Sequence, residues 1–197
     1  MKGITGTKFA EIRDKYGHCS SWAVWAEAGD KAKSNIDDLS IFDPDKDPKI
    51  LEILNPEVVF VGLNISRKIP YSFGNFHDSR RGSEDYKIRY AFNRSKYRGA
   101  YMTDIIKDFE QRMSGDVKKY LEGHPQFEAD NINAFVEELN DIGAANPQLI
   151  VFGDMAFEII NRHLGERYHK ILKIRHYSGP ITKEDYAQKV LRTLGSQ

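Results

Sequence analysis

The chain has 197 residues, 40% hydrophobic and 29% charged, with 29 basic and 29 acidic side chains and a formal net charge of zero. That size and composition suit one globular domain with a real core, and the neutral balance excludes a globally basic nucleic-acid binder, leaving only a local basic patch. The single cysteine, Cys19, excludes an internal disulfide and a multi-cysteine zinc site and is the usage expected of a cytoplasmic protein. No apolar run reaches the roughly 20 residues that span a bilayer, and the opening stretch MKGITGTKF has no apolar core of a signal peptide.

Thr7 to Tyr16 is expected to be a helix, with Thr7 as its cap, Phe9, Ile12 and Tyr16 on one face and Gly17 as its stop. Ser20 to Glu27 carries Trp22 and Trp25 and reads equally as strand or helix; core packing is the favoured role of the two rings over base stacking. Lys33 to Pro48 is an Asp-rich connection, too irregular for a calcium loop, and Lys49 to Leu54 is a short helix ending before Pro56.

Val58 to Ser66, VVFVGLNIS, is the strongest strand: a short, β-branched and aromatic run of the kind buried on both faces of a sheet. Gly62 and Asn64 stand at its C-terminal end, the edge at which open α/β sheets bind ligands. Glu84 to Asn93 follows as a helix with Ser83 as cap. Between Ser79 and Arg98 seven Lys or Arg stand against Glu84 and Asp85. This basic run is either a solvated face or a phosphate-contacting surface.

Gly99 to Ile106 is a second strand ending at Thr103–Asp104. Lys107 to Glu122 looks helical with a break at Ser114–Gly115, and Gly123 to Phe127 reads as a turn. Asn131 to Gly143 is an amphipathic helix with Ile132, Phe135, Val136, Leu139 and Ile142 as its apolar stripe. Gln148 to Phe152 is a third strand, Gly153–Asp154 turns into a helix carrying Phe157, Ile160 and Leu164, and Lys170 to Arg175 is a fourth strand ending in HYSGP, His176 to Pro180. Thr182 caps a last helix, Lys183 to Leu194. The alternation predicts an α/β fold, a parallel sheet with helices on both faces. A single domain, 1–197, is expected, with 1–50 as a helical and loop extension packed on it.

Three of the four strands end in polar residues: Asn64 and Ser66, Thr103 and Asp104, His176 and Ser178. In a parallel sheet these ends share one edge, and that convergence points to a site more than any one residue does. No dinucleotide fingerprint, P-loop, nucleophile elbow or metal-ligand spacing is present, and His163 and His169 form no cluster. His77 lies between Phe73 and Phe76 on a glycine-containing loop, either an anchor buried by its aromatic neighbours or a stacking wall for a planar ligand.

In order along the chain, GLNIS, YMTDIIK, LIVFGDMA and HYSGP together resemble the uracil-DNA glycosylase superfamily. GLNIS is similar to its first motif in the G-[I/M]-N-P-G form, and HYSGP to its second motif, which enters the DNA minor groove. The resemblance spans roughly Val58 to Leu194. It implies a three-layer α/β/α sandwich around a four-stranded parallel sheet of order 2-1-3-4, and a cytoplasmic, monomeric base-excision enzyme that binds DNA and needs no cofactor or metal. It implies Asn64 and His176 as catalytic residues, with Gly62, Leu63, Phe73, Phe76, His77 and Asp104 against the flipped base. Ser66, Ser178, Arg80 and Arg81 would then lie on the DNA backbone.

The chain departs from the family at three places. Ile65–Ser66 replaces proline–glycine, Tyr177 replaces a proline, and Asp104 stands where several branches have an Asn that reads uracil. An ionised Asp accepts hydrogen bonds but donates none, so the preferred base need not be uracil. Two other readings stay open. One is a catalytically inactive nucleic-acid or nucleotide binder of the same fold, and the other is an α/β enzyme acting on a small metabolite.

Overall fold

A computed structural model describes residues 3–195. The expected domain spans 1–197, so its terminal pairs, 1–2 and 196–197, lie outside the described residues. Helix α1, Gly6–Tyr16, is capped by the hydroxyl of Thr5 rather than Thr7, because Thr5 holds extended backbone and accepts from the Lys8 N–H. A two-residue strand β1, Ser21–Trp22, settles the open reading of the tryptophan segment as extended chain. A 3-10 turn at Leu39–Phe42 and the short α2, Ile50–Ile53, lead into β2, Asn55–Gly62. Then come α3, Asp85–Phe92; β3, Ala100–Asp104; α4, Ser114–Gly123; and α5, Pro125–Asp141. The chain continues with β4, Gln148–Phe152; α6, Asp154–Leu164; β5, Ile171–Ile174; and α7, Lys183–Thr193.

The fold is α/β, but its sheet differs in detail from the expected one. It is five-stranded and mixed, in the order β1-β3-β2-β4-β5. β1 pairs antiparallel with β3, setting Ser21 beside Met102 and Trp22 beside Tyr101, while the other three pairings are parallel. Both tryptophans, Trp22 in the extra strand and Trp25 just after it, take a core role. Trp22 meets the Tyr101 ring edge-on at 4.9 Å, and Trp25 stacks on His77 at 5.2 Å. The expected turn at Gly123 to Phe127 shrinks to a break at His124 between the end of α4 at Gly123 and the start of α5, with Pro125 in its first turn, where a missing N–H costs nothing.

The alternation of side chains along the strands sorts the core onto two faces. Val59, Val61, Tyr101, Leu149 and Val151 pack with α1, α5 and α6. Phe60, Met102, Ile150, Phe152 and Ile174 pack with α3 and α7. On that second face Phe60 stacks on Phe152 at 5.5 Å and tilts against Phe92 at 4.6 Å, each ring worth roughly 1.5–3 kcal/mol of burial. Phe76 extends this aromatic column to the strand ends, 6.1 Å from Phe152.

Two of the seven cations of the basic run, Lys87 and Arg89, are consumed inside the fold, while Arg80, Arg81, Arg94, Lys96 and Arg98 stay exposed. Arg89 is buried, and its guanidinium donates to the carbonyls of Ala26, Ala32 and Ser34, tying the 26–34 segment to α3. Lys87 is also buried, paired with Glu84 at 2.8 Å and donating to Gly179 O at 3.0 Å. Arg94 pairs with Glu27. Arg98 lies just before β3, at the opposite end of the sheet from the strand C-termini. Lys87 and Arg89, the two cations on α3, are thereby removed from solvent and cannot contribute to a phosphate-contacting surface. No helix among the described residues is long and apolar enough to cross a membrane.

Candidate functional site

The C-terminal ends of β2, β3, β4 and β5 open into one cleft of about 1700 Å³. That exceeds the roughly 300–1,000 Å³ usual for small-molecule pockets. Asn64, Asp104 and His176 all line it.

Asn64 follows β2 by two residues. Its Nδ2 faces three backbone carbonyls, Ile65 O at 2.9 Å, Phe109 O at 2.8 Å and Gln111 O at 2.8 Å. Three acceptors around a group with two hydrogens fix which end of the amide is nitrogen. Oδ1 is left with no donor among the described residues and is available to accept from a ligand or a water. The same contacts anchor the loop after β3, helped by the Gln111 N–H on Ile65 O.

Asp104 ends β3 and is buried, with Oδ2 accepting from Asn75 Nδ2 at 2.8 Å. Desolvation, the largest influence, pushes its carboxyl up to about 6, against the opposing hydrogen bond from Asn75. Oδ1 meets no donor among the described residues and lies over Gly62. A Cβ on Gly62 would stand 2.2 Å from Oδ1 and 3.3 Å from the Phe76 ring. Gly62 is therefore the gap through which the carboxylate and the ring come together, a close approach that only glycine allows.

His176 follows β5, stacked on Tyr177 at 4.5 Å. Gly153, at φ 81, turns β4 into α6 beside the imidazole, a backbone conformation that glycine tolerates. The Ser178 N–H donates to Nδ1 at 3.1 Å, with the Ser178 hydroxyl 2.8 Å away. Nδ1 is thus the acceptor nitrogen, and the neutral ring carries its proton on Nε2, which has no partner among the described residues. Desolvation lowers the group to about 4, so the imidazole is neutral at physiological pH and presents one N–H.

The other expected site residues divide. Gly62, Leu63, Phe76 and Ser66 line the cleft. Phe73 does not: at φ 59 it turns into the core and packs on Phe9 at 5.4 Å and Phe42 at 5.5 Å. His77 reaches the cleft wall, but its ring nitrogens lie 2.9 Å from Asn75 O and 2.9 Å from Val24 O, and Trp25 and Phe42 cover its ring. It anchors the loop, and its faces are not free to stack a ligand. Arg80 is on the rim, held by Asp78 at 2.8 Å. Arg81 is exposed off the cleft wall, where its carbonyl accepts from Arg67. Ser178 lines the cleft and orients His176.

Sequence reasoning missed Asn75. Its Nδ2 serves Asp104 and Cys19 O, while Oδ1 accepts from the Phe76 N–H. It fixes the carboxylate and the aromatic wall together. Asp104 is 29 positions away, and no spacing pattern links the two. Arg67 and Arg112 on the rim were missed as well, since neither lies in the basic run. No cluster of metal-ligating residues exists among the described residues.

Comparison with protein-family models, with curated proteins and with solved structures finds no match to this chain.

Proposed function

We propose that the chain is a hydrolase of N-glycosidic bonds related to the uracil-DNA glycosylases, acting on a damaged or deaminated base flipped out of DNA, without cofactor, as a cytoplasmic monomer. The four parallel strands, β3-β2-β4-β5, would be the family's sheet in its 2-1-3-4 order, with β1 as an added edge. One observation carries the reading: a single cleft holds an amide with its oxygen open, Asn64, and a neutral imidazole with its Nε2–H open, His176.

Flipping brings the base into the cleft, since a stacked base is out of reach. The glycosidic electron pair leaves with the base, and the His176 N–H donates a hydrogen bond to the negative charge that develops there. A water held by Asn64 Oδ1 adds to the sugar carbon, and its proton passes to the departing base or to solvent. The amide positions the water and takes no proton. Phe76 forms the wall, and Asp104 Oδ1 accepts from an N–H on the base edge.

Asp104 must be ionised to accept in this way. With its carboxyl near 6, KM for a base presenting an N–H edge should fall as pH rises through about 6. His176, already neutral above about 4, should add no limb near neutrality. A KM profile measured on wild type and Asp104→Asn checks both points: the limb at 6 belongs to the wild type alone.

The non-catalytic reading has one observation in its favour, that Asn64 Nδ2 is spent on holding the loop after β3. The test between the two is incubation with oligonucleotides carrying uracil, hypoxanthine, xanthine or mismatches, followed by alkali cleavage at abasic sites. Release supports the enzyme; binding with no release supports the binder.

A further inference from the structure

The rim of the cleft carries an arrangement that the reaction above does not use. Arg67 lies just beyond β2 and Arg112 on the loop after β3. Their Nη2 atoms stand 3.9 Å and 3.8 Å from the point a Cβ on Gly82 would occupy, so the two nitrogens are no more than 7.7 Å apart. Like charges converge here with little to balance them. Arg67 shares Asp78 with Arg80, at 3.2 Å and 2.8 Å. Asp85 lies behind, buried and accepting from the Asp78 N–H. The Arg112 guanidinium has no carboxylate partner among the described residues.

We infer that Arg67 and Arg112 form a phosphate clamp over Gly82, built for a phosphate group next to the nucleotide in the cleft; the assignment of that phosphate to DNA rests on the function proposed above. Two charge-assisted hydrogen bonds of about 2.8 Å to different oxygens of one phosphate fit between nitrogens held within that limit. Gly82, at φ 87, has no side chain to fill it. The clamp is coupled to the catalytic amide, because Asn64 Nδ2 holds Phe109 O and Gln111 O, the carbonyls leading directly to Arg112. Losing the Asn64 amide therefore frees one jaw, although Asn64 itself does not touch the phosphate.

Two titrations test the clamp. In the first, inorganic phosphate is added while the arginine Nε–H signals are followed by NMR. Arg67 and Arg112 should shift together and Arg98 should not. The response should be lost in Gly82→Asp, where a carboxylate takes the anion's place, and weakened in Asn64→Ala. In the second, binding of a labelled oligothymidylate is measured against salt. Arg112→Ala should lower the slope of log affinity on log salt by about 0.7, the value for one phosphate contact on a single strand, and Arg98→Ala should leave it unchanged. Phosphate shifts at both arginines without oligonucleotide binding would keep the clamp and remove the nucleic-acid reading. Oligonucleotide binding with an unchanged slope in Arg112→Ala, or phosphate shifts spread over all exposed arginines, would overturn the clamp while leaving that reading intact.

Discussion

Glu138→Ala should cost about 3–5 kcal/mol of folding stability, the range for removing one partner of a buried ion pair. Glu138 is fully buried on α5 beneath the C-terminal end of β3. Its Oε1 accepts from the Tyr101 hydroxyl at 2.7 Å and the Thr103 hydroxyl at 2.9 Å, and Lys107 Nζ lies 2.5 Å from Oε2 as an ion pair. Burial, followed by the charge of Glu138, raises the Tyr101 phenol far above its ordinary range, so it remains a donor. Alanine would strand a poorly exposed ammonium and two hydroxyls in the core, and each unsatisfied polar group costs of order 1–3 kcal/mol. The thermal midpoint should fall by roughly 6–20 °C for a domain of this size. Glu138→Ala combined with Lys107→Met should recover part of the loss, because the stranded charge is gone. A midpoint within a degree or two of wild type would contradict the network. The same network holds Thr103 and Lys107 on either side of Asp104, so the site inherits its rigidity.

Gly62→Ala carries the second large effect, and it bears on both folding and function. The added methyl would stand 2.2 Å from Asp104 Oδ1, well inside contact distance. Asp104 has little freedom to retreat, because Asn75 holds Oδ2 and Asn75 is itself fixed on Cys19 O and the Phe76 N–H. Overpacking of this kind costs about 1–3 kcal/mol. The displaced carboxylate and ring are also the proposed base reader and wall, so ligand affinity should fall even in the folded fraction. Urea unfolding with a parallel binding titration separates the two losses. Wild-type stability and affinity in this variant would show that the carboxylate and ring do not depend on the close approach at Gly62.

Gly62 also shows what the sequence makes legible. A glycine breaking an apolar strand before a polar residue signals a close approach, and the polar strand ends Asn64, Asp104 and His176 can be read from local pattern because strand polarity places them at one edge. Glu138 was available in principle, since it lies three residues from Phe135 and beside Leu139, both core positions of the helix stripe, and a charge there needs a partner. β1 was not legible: two residues carry no period, and only its pairing with β3 defines it. The 64–83 loop was least legible. Phe73 and Phe76 look equivalent in sequence and both take positive φ, yet one turns into the core and the other onto the cleft. What decides this is contact with Phe9, Phe42 and Phe152, at separations no local rule reaches. The basic run was legible only in part for a related reason: charge counts do not reveal that Arg89 and Lys87, two of its seven cations, spend their hydrogen bonds on carbonyls and a carboxylate inside the fold.

The proposed chemistry depends on Asn64 Oδ1 and the His176 Nε2–H acting on one bond. The most direct measurement is single-turnover base release from lesion-bearing oligonucleotides by wild type, Asn64→Ala and His176→Ala, each confirmed folded by circular dichroism. A glycosylase built on this cleft should lose about 10²–10³-fold in rate on removal of the His176 donor, the range for one preorganised donor at a developing anion, and should lose release in Asn64→Ala as well. Release that persists undiminished in both folded variants would place the chemistry elsewhere. Binding without release by the wild type would make the cleft a receptor for the base rather than the site of its excision.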